Sequence, residues 1–103
     1  MQRNVNAANN RGITPLHAAS VKGFKNLAEL LIENGANVNA EDQYKFTPLY
    51  DAVRKNQLKA SELLLQNGAN VNVEDNQGQT PLHEASRSGF KELAELLCTT
   101  KEK

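Results

Sequence analysis

The chain repeats itself every 33 residues. Thr14-Pro15-Leu16-His17 returns as Thr47-Pro48-Leu49-Tyr50 and again as Thr80-Pro81-Leu82-His83. Asn34-Gly35-Ala36-Asn37-Val38-Asn39 returns in phase as Asn67-Gly68-Ala69-Asn70-Val71-Asn72, and Asn4-Val5-Asn6-Ala7 is the tail of the same unit. The period divides one domain, 1–103, into a partial repeat at 1–7, repeats at 8–40, 41–73 and 74–98, and a polar tail at 99–103. A unit this short cannot enclose a core by itself. Copies must stack so that each borrows half of its apolar contacts from its neighbours.

The unit can be built piece by piece. Thr14 suits an N-cap, where its hydroxyl accepts from an orphan backbone N–H, and Pro15 suits the first helical position, where no donor is needed. Leu16, Ala19 and Ser20 then share a face at helical spacing. Gly23 supplies a left-handed stop; Asn56 and Gly89 occupy that position in the later units. A second helix follows, with Leu27, Ala28, Leu30 and Leu31 forming a broad apolar stripe. Gly35 ends it. The Asn, Asp and Gly between units predict a turn or hairpin, with asparagines hydrogen bonding across it.

Thr-Pro-Leu-His-x-Ala at this period resembles the ankyrin repeat signature, and the resemblance covers essentially the whole chain. It implies a mainly α fold, an ankyrin-repeat solenoid of stacked helix-turn-helix units with projecting β-hairpin loops. It further implies that the fingers and the first helices line a concave groove, and that the chain is a non-catalytic module for binding another protein. The middle unit departs from the pattern. Tyr50 replaces the His, Lys45 replaces the finger glycine (Gly12, Gly78), and Gln57 replaces Phe24 and Phe90. With no distinct polar capping unit at its start, the array reads as an excised fragment or a minimal domain. Open array ends are adhesive, so a monomer or weak end-to-end association is expected.

Composition narrows the function classes. Twelve basic residues balance twelve acidic ones. That balance argues against a nucleic-acid binder working by phosphate neutralisation and against a polybasic membrane anchor. No apolar run exceeds three residues, so neither a transmembrane helix nor a signal peptide is expected. One cysteine, Cys98, allows no internal disulfide and no cysteine-based zinc site. The chain reads as intracellular, cytoplasmic or nuclear.

Candidate chemistry is sparse. His17 and His83 lie two stacking steps apart, too far to share a metal, and the resemblance implies that each ties the Thr cap to nearby backbone. Asp51 and Glu84 occupy one slot on successive helices and are expected to be solvated. Cys98 falls where Ile32 and Leu65 stand and reads as a small apolar residue. The glycines are single, which leaves no phosphate cradle. With no constellation of acid, base and nucleophile, and no cofactor implied, the chain does not read as an enzyme.

Function is expected at the groove. By register the partner-binding candidates are Arg11, Ile13 and Lys22 in the first unit, Gln43, Tyr44, Phe46, Asp51, Arg54 and Lys55 in the second, and Gln77, Gln79, Glu84 and Arg87 in the third. Tyr44 and Phe46 share a face of one finger, and aromatic residues and Arg dominate binding hot spots. The alternative for the bases is that they only complement the negative ends of their helices. For Phe46 it is packing on a neighbouring finger. The acids crowd the fingers and the bases the helix ends, so a partner carrying an acidic stretch would be complementary. Two other readings are a structural segment of a larger multi-repeat protein and an array that binds a nucleotide-like ligand. Asn39 and Asn72 also resemble asparagines hydroxylated in some ankyrin arrays.

Overall fold

The structure is a computed structural model that describes residues 4–100. Positions 1–3 of the predicted stub and 101–103 of the predicted tail lie outside the described residues. Six helices follow in three pairs: α1 (Pro15–Lys22) and α2 (Lys25–Glu33), α3 (Pro48–Arg54) and α4 (Leu58–Gln66), α5 (Pro81–Ser88) and α6 (Lys91–Thr99). Helix α3 packs against both α1 and α5, while α4 packs against α2 and α6. The result is an inner row of first helices backed by an outer row of second helices.

The local signals operate as the sequence predicts. Thr14, Thr47 and Thr80 hold extended backbone, and each hydroxyl accepts from the backbone N–H three residues on. Gly23 (φ 73°) and Gly89 (φ 74°) turn left-handed after α1 and α5, and Asn56 (φ 59°) does so in the middle unit. Lys45 also takes a positive φ, 66°, at the finger position that Gly12 and Gly78 fill elsewhere. The sequence marked that residue only as a departure; the backbone around it keeps the family of turns intact at a steric cost.

Leu16, Leu49, Leu64 and Leu93 are fully buried and form the spine of the core. Each such side chain contributes roughly 1.5–3 kcal/mol by leaving water. Ala19, Ala52 and Ala85 lie between them on the inner row, where small side chains allow close approach of successive helices. Gln57 adds a lock between the first two units. Its Nε2 donates to the Val21 carbonyl at 3.1 Å, and its amide fills the space beside Gly23, where an added Cβ would come within 2.2 Å of it.

Four sequence expectations need correction. The fingers are not β-hairpins: no strand forms among the described residues. Each finger is a turn, closed in the middle unit by Asp42 N–H to Phe46 O (3.0 Å) and Lys45 N–H to Asp42 O (2.9 Å). Neighbouring fingers share single rungs, Gln43 N–H to Arg11 O (2.9 Å) and Asn76 N–H to Tyr44 O (3.2 Å), too few for a ladder. The tail asparagines divide: Asn37 and Asn70 bond within their own loop, each Oδ1 accepting the N–H two residues on (3.0 Å), while others reach beyond it. Asn39 Nδ2 donates to Gly68 O (3.1 Å) and its Oδ1 accepts from Asn70 N–H (2.8 Å), and Asn6 does the same to Gly35 and Asn37. Those bonds stitch one unit to the next. Finally, the apolar stripe of α2 is only partly buried: Leu27 and Leu30 are 44% and 53% exposed, because nothing described packs on that side. Cys98, read as an ordinary apolar residue, is likewise exposed.

Candidate partner-binding face

The inner row and the fingers meet in a recess of about 340 Å³ between the first two units. Its walls bring together six of the residues singled out from the sequence, namely Arg11, Ile13, Tyr44, Phe46, Asp51 and Arg54, and add His17 and Asp42. The middle finger supplies one wall because Asp42 shapes it. Asp42 Oδ1 accepts the N–H groups of Tyr44 (2.9 Å) and Phe46 (3.0 Å), so both aromatics project from one tight turn.

The aromatics split in role. Phe46 is half-buried and stacks on Tyr50 at 4.7 Å with planes 10° apart. The Arg54 guanidinium lies 5.4 Å from the Phe46 ring centre on its face, a cation–π geometry. Tyr44 tilts against Phe46 at 5.6 Å and 41° but stays 53% exposed. The pair expected to be jointly exposed is thus one framework residue and one free ring. The physical reason is Tyr50, whose large side chain gives Phe46 a partner that a His in that position would not match in area.

Asp51 and Glu84, expected to be solvated, are buried. Arg54 Nη2 donates to Asp51 Oδ1 at 3.0 Å, and Arg87 pairs with Glu84 three residues earlier in the same way. Each acid is thus held by the arginine three residues on, on a helix packed against the preceding unit, a pairing that charge counting alone does not foresee. Burial pushes the Asp51 carboxyl up from the ordinary range, with Arg54 opposing the rise. Arg54 Nε is itself buried without a partner among the described residues.

The remaining candidates are more dispersed. Gln79 accepts from Arg87 Nη1 at 3.2 Å, forming a small polar group with Glu84 in the third unit. Gln43 and Gln77 are exposed at finger tips, and Lys22 and Lys55 are exposed at helix ends.

One histidine recruits more than its cap. His17 Nδ1 accepts the Thr14 N–H (3.1 Å), which leaves the ring proton on Nε2, facing the Phe46 carbonyl at 2.8 Å. His17, Asp42 and Asp51 have ligand atoms within 4.8 Å of one another. With both imidazole nitrogens engaged, the trio lacks the lone pair that a metal site would need from the ring. His83 forms the same cap through Nδ1 (2.9 Å to Thr80 N) but is exposed, with no finger packed on it among the described residues. In the middle unit Tyr50 donates its hydroxyl proton to Asp75 Oδ2 at 3.0 Å. Burial, then the bond to Asp75, pushes the phenol up to about 12. Burial alone would raise Asp75, but the N–H groups of Gln79 and Gln77 and the Tyr50 hydroxyl outweigh it and hold that carboxyl below its ordinary range.

Asp42 was missed as a groove residue. Its position two before Tyr44 and four before Phe46, recurring as Asn9 and Asp75, was the available signal. Comparison with known families places these features in a wider set. A family model described as ankyrin repeats (3 copies) matches residues 1–75, and a single ankyrin repeat model matches residues 77–101. Among curated proteins no match is found. No helix among the described residues is long and apolar enough to cross a membrane.

Proposed function

The chain belongs to the ankyrin repeat family, and from that premise we propose that it binds a partner polypeptide along its concave face, centred on the middle finger. Ankyrin repeats are generally protein–protein interaction modules and typically non-catalytic. The observation that carries the finer reading is Tyr44. A large ring stands half in water at the rim of the recess, supported from below by Phe46 and Tyr50. A ring held rigid before binding loses little entropy on contact, and Tyr is a frequent anchor of interfaces.

The electrostatic part narrows. Arg54 and Arg87 are engaged with Asp51 and Glu84, so an acidic stretch of the partner would meet Arg11, Lys22 and Lys55, which are exposed and outside any ion pair among the described residues. Gln43 and Gln77 at the finger tips offer hydrogen bonds to the partner's backbone.

Affinity purification with the wild-type chain beside Tyr44→Ala tests the proposal. The variant should lose the captured partner while its melting temperature stays within error, since an exposed ring contributes within about 0.5 kcal/mol to folding. Undiminished capture by Tyr44→Ala would remove the middle finger from the interface. Arg54→Ala is a poorer probe, because it strips a buried carboxylate of its counter-charge and disturbs folding as well.

A further inference from the structure

One face of the array is apolar and open among the described residues. On the α1–α2 side away from α3, an apolar recess of about 420 Å³ is lined by Pro15, Ala18, Val21, Phe24, Leu27 and Leu31. Several of its counterparts one and two periods on are buried. Leu27 is 44% exposed, whereas Ala60 and Leu93 are at 1% and 0%. Pro48 and Pro81 are fully buried where Pro15 is not, and the slots of Asp51 and Glu84 are buried where Ala18 is exposed. In both later units the preceding unit does the covering. The first unit lacks one among the described residues, yet carries the same apolar pair, Phe24 and Leu27, that the third unit has as Phe90 and Leu93, the latter fully buried.

The opposite end of the molecule offers the matching surface. The side of the first unit that receives the second presents Leu16, His17 and Ser20, all buried. The third unit carries the same residues in the same register, Leu82, His83 and Ser86, with His83 and Ser86 exposed. Three docking features recur unfilled. At Gly23 the space above the backbone is occupied by the Gln57 amide, while at Gly89 nothing lies within 4 Å, leaving a hole for a side chain at the Phe24 position. The His17 Nε2 proton meets the Phe46 carbonyl, whereas His83 uses only Nδ1 among the described residues, and the equivalent carbonyl on the first finger, Ile13 O, accepts one bond from Asn9 N–H and has a second lone pair. The finger rung from Gln43 N–H to Arg11 O would be continued by Asn10 N–H and Gln77 O, neither of which is paired among the described residues.

We infer that this apolar end face docks the far end of a second copy of the chain, with α1 and α2 of one copy seated on α5 and α6 of the next as α3 and α4 sit on α1 and α2. The reading is independent of the groove proposal, because it uses the ends of the array and not its concave side. Such contact is heterologous: each copy keeps one free end, so growth does not close at a dimer.

Sedimentation of the whole chain from about 10 μM to about 1 mM tests this. The weight-average mass should climb with concentration without a plateau at two chains. Backbone NMR shifts on dilution should move at Phe24 and Leu27 and, equally, at Leu82, His83 and Ser86. Leu27→Lys should shift the association midpoint upward by about tenfold or more, with an unchanged melting curve because the side chain is half exposed in the monomer. Phe24→Gln, which installs the residue of the middle unit, is the second variant and should weaken association with the fold intact. A constant single-chain mass up to the highest concentration overturns the inference. So does a dimer whose shifts stay on the α1–α2 face alone, which would mean a symmetric face-to-face pair, or association that survives Leu27→Lys.

Discussion

The junction between the first and second helix pairs and the junction between the second and third share one backbone plan and are closed by different side chains. Both have a single finger rung, Gln43 to Arg11 in one and Asn76 to Tyr44 in the other. At the first junction the His17 imidazole reaches the backbone carbonyl of Phe46, and Gln57 reaches that of Val21. At the second, a phenol reaches a carboxylate, Tyr50 to Asp75. The rungs set register; the side chains decide strength and pH response. At the second junction both partners are shifted, the phenol up and the carboxylate down.

The sharpest way to break the comparison is to remove one histidine at a time. His83→Ala loses only a local cap and should cost about 1 kcal/mol. His17→Ala loses the same cap together with a buried bond across the junction, and should cost about 2–3 kcal/mol. Chemical denaturation of both variants measures the difference. Equal costs would mean the cross-junction bond contributes nothing.

Tyr50→Phe tests the second junction, with an expected loss of about 1–2 kcal/mol at neutral pH. Its signature is in alkali. The folded phenol is held to about 12 from a usual 10, so the unfolded chain releases that proton first and stability falls as pH rises between those values. The wild type should lose stability through this window and Tyr50→Phe should not, so the two denaturation midpoints should converge by pH 12. Parallel curves would place the alkaline sensitivity elsewhere. On the acid side the junctions oppose each other. Asp75, held low, contributes stability that is lost as pH falls below the ordinary carboxylate range, while Asp51, held high, makes the folded state more favourable as it protonates.

The smallest effect concerns the finger that serves both junctions. Lys45 holds φ 66° where Gly12 and Gly78 hold 82° and 76°. Lys45→Gly should stabilise by about 0.5–1 kcal/mol through relief of the left-handed backbone, read as a rise in melting temperature. A drop would mean that the lysine side chain contributes more than its strain costs.

Some of the site was legible in the sequence and some was not. Tyr44, Phe46, Arg54 and Asp51 were picked by register, and the recess does gather them. Their division of labour was not legible. Nothing in the spacing says that Phe46 turns inward onto Tyr50 while Tyr44 stays out, since both sit on one face of a finger and only the neighbouring helix separates them. The burial of Asp51 and Glu84 escaped for a similar reason: an acid in a first helical turn looks solvated until the preceding unit packs beside it and the arginine three residues on pairs with it. The asparagine ties went to the next unit because the period brings a loop carbonyl within reach of every tail, a distance set by stacking and not by local sequence.

The amino-acid sequence by itself determined the period, the caps, the left-handed stops and therefore the three helix pairs, because each of these is decided within a few residues by backbone sterics and orphan hydrogen bonds. Tertiary structure alone decided which repeated residues do the same job. His17 and His83 have the same local motif, and Leu27 and Leu93 the same place in a helix, yet one of each pair is buried and the other faces water. Burial depends on whether a neighbouring unit is present to exclude solvent, and that is a property of position in the array.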